Sequence, residues 1–326
     1  MRRRALITGA TGFVGGHLVD RLADRGWELH ALVRPTSDTR ALREHGVRLW
    51  TGELSDRELL RRACGEVDVV FHLAAVTAAR DEEGYHRANV DGTRTLVDAL
   101  VEADPMPARL VYLSSYAACG PAPPDGVRHN EESPQPLTTY GRTKLAGEEI
   151  VRSLAGRGVE VVVMRAPAVY GPGDRALLPY FRLIALRLAP IPKNGENRLH
   201  LIYVADLARA LEGAADAPPG TYAVASPGVH RWSEVVGTIA SVMNRKPLQI
   251  PLAAPLVRLA AGISQAAGSL AGRAAPFNRE KAEEMLASAW VCDLTGSEAV
   301  LPPEQATPLR EGISQTVRWY TRRGWL

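Results

Sequence analysis

The chain has 326 residues, 46% hydrophobic and 23% charged, enough to bury a substantial core in one large domain or two unequal ones. The net charge of +3 is small against 39 basic and 36 acidic residues, and no basic run is interleaved with aromatics, so nucleic acid is not expected as a partner. The three cysteines are widely spaced and outside any CxxC pattern, which argues against a disulfide framework and a zinc site, and no metal is expected.

Near its start the chain places a glycine-rich turn between a short apolar strand and an amphipathic helix. In such a turn, the first glycine permits a tight bend, the second lets backbone N–H groups approach a pyrophosphate, and the third lets the helix pack on the strand. The helix N-terminus then faces the phosphates with its unpaired amides. The turn therefore predicts a dinucleotide site, with cofactor contacts from Gly9, Thr11, Gly12, Phe13, Val14 and Gly15.

From residue 5 to about 168, strand and helix patterns alternate. Strands are predicted at 5–7, 28–33, 47–50, 67–73, 110–113 and 159–164. Helices are predicted around 12–25, 56–64, 84–103 and 140–156, and a proline-rich stretch at 121–136 is predicted to be a loop. The predicted fold class is α/β, a Rossmann-type doubly wound parallel sheet with a smaller mixed C-terminal substrate-binding part.

The residues after the second predicted strand bear on the choice of nicotinamide cofactor. A carboxylate at this place usually selects NAD, whereas a guanidinium can bind the 2′-phosphate of NADP. Arg34 follows the strand, Thr36 and Ser37 add hydroxyl donors, and Asp38 comes late for a ribose ligand. NADP is therefore favoured over NAD; in the alternative interpretation, Arg34 stacks on adenine or points into solvent.

Ser115, Tyr140 and Lys144 are the candidate catalytic residues. The Tyr and Lys are four residues apart and so share one face of a predicted helix, although such pairs are common on solvated helices. A phenol has an ordinary pKa of about 10, and a nearby cation favours its ionised form. Ser115 ends a predicted parallel strand, at the sheet edge where ligands gather. All three groups could then act on one substrate oxygen.

Beyond residue 167 the regular alternation fades. A strand at 201–204 runs into a helix at 206–211, with Asp206 near its N-cap. The segment 252–275 has helical apolar spacing, but Arg258, Gln265 and several glycines interrupt it before 18 apolar residues accumulate, which argues against a membrane helix. Its functional interpretation is a mobile lid over an apolar substrate, and its structural interpretation is an ordinary packed helix. The predicted domains are a Rossmann part over 1–168, to which 199–226 returns, and a substrate-binding part over 169–198 and 227–326.

The motifs together resemble the extended short-chain dehydrogenase/reductase family, also called the NAD-dependent epimerase/dehydratase family, over nearly the whole chain. The segments that carry the resemblance are Thr8-Gly-x-x-Gly-x-x-Gly15, 71–75, 89–92, Tyr140-x-x-x-Lys144 and 165–173. The resemblance implies that Tyr140 is the general acid/base, that Lys144 lowers its pKa and holds the nicotinamide ribose, and that Ser115 orients the substrate oxygen. It implies a structural bridge at Asn89 and further cofactor contacts at Glu53, Leu54, Leu73, Ala74, Ala75 and Pro167.

Departures from the sugar-modifying branch narrow the reaction. Dehydratases of the family carry an acidic pair where this chain has Tyr116 and Ala117, and many nucleotide-sugar epimerases carry an arginine where it has Leu199. The first hypothesis is therefore a cytoplasmic dehydrogenase or reductase for a hydroxy or keto group of a fairly apolar small molecule. The alternatives are a nucleotide-sugar 4-epimerase with tightly bound NAD and a non-catalytic cofactor-binding sensor. Candidate substrate contacts are Tyr116, Tyr170, Arg175 and Arg198, and the family resemblance also makes a homodimer an expectation.

Overall fold

The computed structural model describes residues 2–192, 195–271, 275 and 277–326. Residues 272–274, in the segment interpreted above as a lid, lie outside the described part. The strands are β1 (Arg4–Thr8), β2 (Glu28–Val33), β3 (Arg48–Thr51), β4 (Val69–His72), β5 (Arg109–Ser115), β6 (Glu160–Ala166), β7 (Ala168–Tyr170), β8 (Leu188–Pro192), β9 (Arg198–Leu199), β10 (Leu201–Tyr203), β11 (Gly220–Ala223), β12 (His230–Arg231), β13 (Leu248–Leu252) and β14 (Ala289–Trp290). The helices are α1 (Phe13–Asp24), α2 (Arg40–Glu44), α3 (Arg57–Cys64), α4 (Glu82–His86), α5 (Gly92–Val101), α6 (Thr139–Arg152), α7 (Leu178–Ala185), α8 (Val204–Gly213), α9 (Trp232–Val242), α10 (Ala254–Leu270), α11 (Arg279–Leu286) and α12 (Leu309–Arg322).

The main sheet has seven parallel strands in the order β3-β2-β1-β4-β5-β6-β11 within the described residues. Its central strands are apolar runs buried on both faces, as parallel strands covered by helices require. The strand order reverses at β1, which lies between β2 and β4. In open α/β sheets ligands bind at the carboxyl end of the strands at this point. The predicted fold class is confirmed.

Two apolar clusters cover the faces of the sheet. One contains residues of α1 and α8, and the other contains residues of α3, α5 and α6. Strand β11 pairs with β6, and α8 packs on α1. The chain therefore builds part of the smaller region after β6 and then returns to the Rossmann sheet with α8 and β11. The predicted strands of the first half agree with β1 to β6 within two residues at each end.

The long helix predicted at 84–103 is interrupted. It is divided into α4, a π-helical turn at Arg87–Asp91, and α5. The turn contains Asn89, whose side chain hydrogen-bonds both backbone groups of Val76 in the loop after β4. Periodicity alone predicted one continuous helix because a π-turn adds only a local shift to the apolar pattern.

The smaller part is built from short sheets and helices. Strand β8 pairs with β13, strands β12, β9 and β14 form a second small sheet, and α7, α9 and α12 share an apolar cluster. Helix α10 packs on α11 through buried Val257 and Ala261. Among the described helices, none is both long enough and apolar enough to span a bilayer.

Candidate active site

The glycine turn closes tightly at the carboxyl end of β1. Gly9 has a φ of +77°, and the N–H of Gly12 donates to its carbonyl at 2.9 Å. A Cβ on Gly15 would lie 2.1 Å from the Gly9 oxygen, so only glycine lets α1 approach the turn this closely. Thr11 and Gly12 are exposed on the outer side of the turn, and the first turn of α1 carries no acidic residue. This cradle of free amides fits a dinucleotide pyrophosphate.

The loop after β4 lies beside this turn. The N–H of Ala74 donates to Thr8 Oγ1 at 3.2 Å, and a Cβ on Gly9 would lie 2.8 Å from Ala74 N. Leu73 and Ala74 are half-buried and Ala75 is exposed, along the cleft where the sequence placed cofactor contacts. His72 is buried between Thr8 and Thr93, and burial lowers its pKa to about 3, so it is a neutral packing residue.

Asn89 joins three parts of the site. Its Oδ1 accepts from the N–H of Val76 at 2.7 Å, and its Nδ2 donates to the Val76 carbonyl and to Thr143 Oγ1, both at 3.0 Å. Thr143 directly precedes Lys144 on α6. The geometry agrees with the structural bridge that the family resemblance implied, since Asn89 fixes α6 against the cleft without reaching the reacting groups.

Tyr140 and Ser115 are brought together by the close packing of α6 on the turn that follows β5. Thr138 caps α6 by accepting from the N–H of Gly141, and a Cβ on Gly141 would lie 2.3 Å from the Ala117 carbonyl. The side chain of Ser115 lies close to the Tyr140 phenol and favours its ionised form. Burial nevertheless raises the pKa of Tyr140 to about 12. The phenol is therefore protonated at neutral pH.

Lys144 lies one helical turn beyond Tyr140 and is only 2% exposed. Its Nζ is 4.1 Å from the centroid of the Tyr112 ring, and among the described residues it has no hydrogen bond or ion pair. Burial lowers its pKa to about 7, against the opposing charge of Glu148. Burial is the main influence on the pKa of Tyr140, and the lowering by Lys144 that the resemblance implies stays a prediction. A buried ammonium without a partner fits the ribose hydroxyls of a nicotinamide cofactor.

Behind these residues lies a buried ionic network that sequence reasoning missed. Ser114 donates to Glu148 Oε1 at 2.6 Å, and Arg165 donates to both oxygens of the same carboxylate at 3.0 and 2.8 Å. Burial works against ionisation, but the hydrogen bonds and charge of Arg165 hold the pKa of Glu148 below its usual range. Ser114 and Ser115 therefore face different partners, and only Ser115 reaches Tyr140.

Helix α11 covers the start of α6 and was not predicted. Glu280 accepts from the N–H of Thr139 at 2.7 Å, Glu284 accepts from Thr138 Oγ1 at 3.2 Å, and Lys281 Nζ is 5.8 Å from the centroid of the Tyr140 ring. Asn278 caps α11, and this asparagine, followed two residues later by an acidic residue, is the local signal that could have indicated the helix. Its contact with α6 spans about 140 residues, which no local pattern reveals.

A cavity of about 330 Å³ lies between α10, α11 and the loop before α6. Its walls include Leu137, which is three residues before Tyr140, together with Ala254, Leu286 and the ion pair of Arg258 with Glu283. The walls are mainly apolar, and α10 forms one side of the opening. The segment interpreted as a lid therefore contributes to a cavity near the candidate site while it is also packed on α11.

The adenosine end of the cleft carries the predicted basic residue. Arg34 is exposed directly after β2, and the N–H of Ser37 donates to its carbonyl at 3.0 Å. The carboxylate of Asp38 is held by Arg40 at 2.7 Å, which lowers the pKa of Asp38 to about 2. Glu53 is exposed after β3, and Leu54 packs against α5 at Gly92. Pro167 is buried directly after β6.

The four candidate substrate residues do not converge. Tyr116 is 2% exposed and packs against Cys292 and His200, and Tyr170 is 1% exposed and packs against Tyr203, so both rings would have to move to touch a substrate. The guanidinium of Arg175 lies over Trp325. Arg198 lines a second cavity, of about 280 Å³, and donates to the Pro124 carbonyl. Within the described residues no group of three or more His, Cys, Asp or Glu is arranged to hold a metal.

Comparison with known proteins agrees with this geometry. The NAD dependent epimerase/dehydratase family matches residues 5–225. A ceramide reductase from Caulobacter vibrioides is 34% identical over 98% of this chain and 95% of its own length. A 4-hydroxy-2-methyl-3-oxo-4-farnesyl-3,4-dihydroquinoline-1-oxide ketoreductase from Stigmatella aurantiaca is 31% identical over 67% of this chain and 66% of its own. The solved structure of MoeE5 with UDP-glucose and NAD superposes with a TM-score of 0.74, at 27% identity, over 99% of this chain and 100% of that one.

Proposed function

We propose that the protein reduces a ketone on a long-chain, amphipathic lipid. The chain belongs to the NAD-dependent epimerase/dehydratase family and is an NAD(P)-dependent oxidoreductase, as its relatives are. The substrate class is a long-chain N-acyl amino ketone, the oxidised counterpart of a ceramide. The observation that carries the proposal is the proximity of Ser115 to a protonated Tyr140, together with a mainly apolar cavity that Leu137, in the loop before α6, helps to line.

Each residue has one task in this reaction. Ser115 donates a hydrogen bond that orients the ketone oxygen, and Tyr140 transfers its proton to that oxygen as the carbon is reduced. A bound reduced nicotinamide supplies the hydride for the carbon. Lys144 holds the cofactor ribose, and its charge favours the phenolate that remains after the proton has left. Because its pKa lies well above 7, the Tyr140 phenol holds a proton at neutral pH that it can donate to the substrate oxygen.

The relatives support an apolar substrate more than a nucleotide sugar. The ceramide reductase matches nearly the whole chain, and the ketoreductase is named for a farnesylated substrate. Leu199 occupies the position of the epimerase arginine, and the neighbouring Arg198 is engaged with the Pro124 carbonyl. Tyr116 and Ala117 replace the acidic pair of the dehydratases and are both buried, so general acid catalysis of elimination has no carboxyl group there.

The test is reduction of a synthetic long-chain N-acyl amino ketone, followed by loss of NADPH absorbance and by mass spectrometry of the alcohol. Tyr140→Phe should lower kcat by about 10²–10⁴-fold, because it removes the proton donor, while the cofactor Kd stays near that of the wild type. Tyr222→Phe is the matched control and should keep full activity, since the Tyr222 hydroxyl, on β11, donates to the Pro218 carbonyl away from the candidate site.

Two outcomes would overturn the proposal. In one, purified protein retains NAD and interconverts UDP-sugars at C4 without net cofactor oxidation, as the epimerase alternative requires. In the other, Tyr140→Phe turns over the ketone as fast as the wild type does. A protein that binds cofactor but transforms neither substrate class would favour the sensor alternative.

NADPH is the proposed coenzyme. Arg34 is exposed at the adenosine end and has no ion pair among the described residues, whereas Asp38 is already neutralised by Arg40. A charge-assisted pair with the 2′-phosphate is worth about 1.5–3 kcal/mol, so Arg34→Ala should lower kcat/KM for NADPH roughly 10–100-fold and leave NADH nearly unchanged. Arg43→Ala on α2 is the control. Equal losses with both coenzymes, or a wild-type preference for NADH, would contradict this assignment.

The cytoplasmic location and the homodimer stay predictions.

A further inference from the structure

Charge is segregated along this chain. Residues 175–195 and 235–279 contain nine Lys and Arg residues and no Asp or Glu, whereas the other 260 residues contain 30 basic and 36 acidic ones. The two segments meet in the fold, since β8 pairs with β13 and the N–H of Leu248 donates to the Arg187 carbonyl at 2.8 Å. These two segments therefore carry an excess of positive charge that the net charge of +3 conceals.

The same segments carry the most exposed apolar side chains. Among the described residues, the large hydrophobic side chains that are more than half exposed all lie in these two segments. They are Leu186 (72%), Leu248 (67%), Leu256 (57%), Leu259 (61%), Ile263 (63%) and Leu270 (92%), and together they define what we call the outer apolar face. Large exposed apolar side chains on elements that are paired or consecutive in the chain are typical of a binding surface rather than of ordinary solvent contact.

Helix α10 has two apolar sides. Its inner side packs on α11 through Val257 and Ala261. The four outer apolar side chains, which begin at Leu256, follow one another at intervals of three, four and seven residues and so lie on one stripe. Arg258 is the only charged residue of α10, and it is paired with Glu283 on α11. The four side chains that define the outer stripe are all apolar.

Basic side chains border this face at its β8–β13 end. Arg187, Arg245 and Lys246 are exposed, and none of them forms an ion pair with a described residue. Apolar residues flanked by free cations are the pattern of segments that lie in the interface of an anionic bilayer. A second copy of this chain on the same face would bring together two segments that contain basic but no acidic residues, which opposes self-association.

We propose that the outer apolar face docks on the surface of an anionic lipid bilayer, with α10 lying in the plane of the interface. Leu256, Leu259, Ile263 and Leu270 enter the boundary between headgroups and acyl chains, and the bordering cations contact lipid phosphates. Ala254 and Arg258 of the same helix line the cavity whose wall includes Leu137, in the loop before α6. If the proposed lipid substrate is correct, α10 lies where such a molecule would pass from the bilayer to the cavity.

The experiment is flotation of the full chain with vesicles of phosphatidylcholine alone or mixed with phosphatidylglycerol. The wild type should float with the anionic vesicles, and added salt should weaken this binding. The double variant Leu259→Glu with Ile263→Glu should lower the vesicle partition coefficient at least about tenfold, since it places two charges in the apolar contact. Arg187→Glu with Lys246→Glu should abolish the preference for anionic lipid. Met106→Glu, at an exposed apolar residue outside the face, should bind as the wild type does.

Other results would overturn this inference. Wild-type protein that stays with the protein-only fraction contradicts it, as does equal binding by the Leu259/Ile263 double variant. Light scattering of the protein alone provides a further test, because a wild-type dimer that the double variant converts to a monomer would make the face a protein interface. Turnover of detergent-dissolved ketone separates the two proposals. If the ketone is not reduced but the protein binds vesicles, the proposed reductase activity is wrong. If the ketone is reduced but the protein does not bind vesicles, the docking surface is wrong.

Discussion

At the scale of single residues, Lys144 is a cationic side chain that is almost fully buried, and burial disfavours its charged form. Its pKa falls from an ordinary 10.5 to about 7 because α6 buries the ammonium beside Tyr112. Between pH 7 and 10.5 the unfolded chain therefore binds one proton more than the folded chain at this site. The free energy of unfolding must then rise with pH through that window, and the full penalty of burying the cation is present below pH 7.

Lys144→Met should remove this penalty and abolish turnover. We expect the variant to be more stable than the wild type by roughly 2–4 kcal/mol at pH 7, with a smaller rise in stability between pH 7 and 10. Chemical denaturation at several pH values measures both effects. Lys246→Met, at an exposed lysine, is the control and should leave the pH profile unchanged. Parallel profiles for Lys144→Met and the wild type would contradict a lowered pKa.

At the scale of elements, the glycine turn and α1 work as one unit. Gly15 lies inside the helix against the Gly9 carbonyl, whereas the adjacent Gly16 has no neighbour within 4 Å of where its Cβ would stand. The two glycines are consecutive, but only one is required by packing. The difference arises because the turn folds back on a single side of the helix, so the helical rotation between the two residues carries Gly16 away from it.

The pair Gly15→Ala and Gly16→Ala isolates this requirement. Gly15→Ala should push α1 away from the turn, weaken cofactor binding at least about 100-fold and lower the thermal midpoint. Gly16→Ala should bind cofactor as the wild type does and gain up to about 1 kcal/mol, since alanine is the better helix former. Cofactor titration by calorimetry and thermal denaturation measure these effects. Similar cofactor affinities for both variants would rule out the close approach at Gly15.

At the scale of the whole molecule, buried Asp206 joins α8 to the C-terminal segment. It accepts from the N–H and the hydroxyl of Thr307 at 2.7 and 2.9 Å, across a separation of 101 residues. Because α8 packs on α1, this carboxylate connects the Rossmann part with the chain that leads into α12. The hydrogen bonds replace the water that the carboxylate loses on burial.

Asp206→Ala should lower the free energy of unfolding by about 2–4 kcal/mol, because it leaves Thr307 and Arg209 without their partner. Asp216→Ala removes the exposed pair with Arg3 and should change stability by less than about 1 kcal/mol. Urea denaturation of both variants gives the comparison. A loss at Asp206 no larger than that at Asp216 would show that the link does not support the fold.

Local spacing in the sequence determined the strands β1 to β6 and the glycine turn, and it predicts that Ser115, Tyr140 and Lys144 form one group. This succeeded because each signal depends on residues a few positions apart, or on strand ends that a parallel sheet must bring to one edge. The π-turn at Asn89 was not predicted because it shifts the apolar pattern of the helix only locally.

Only the tertiary structure decided the environment of that group. The cover of α11 over Tyr140, the network around Glu148 and the raised pKa of Tyr140 all depend on burial and on contacts between distant residues. The outer apolar face could not be predicted from the sequence either. The same leucine spacing occurs in helices whose apolar side is buried and in helices whose apolar side is exposed. Periodicity shows that a helix has an apolar side, but the packing of the remaining chain determines whether that side is covered.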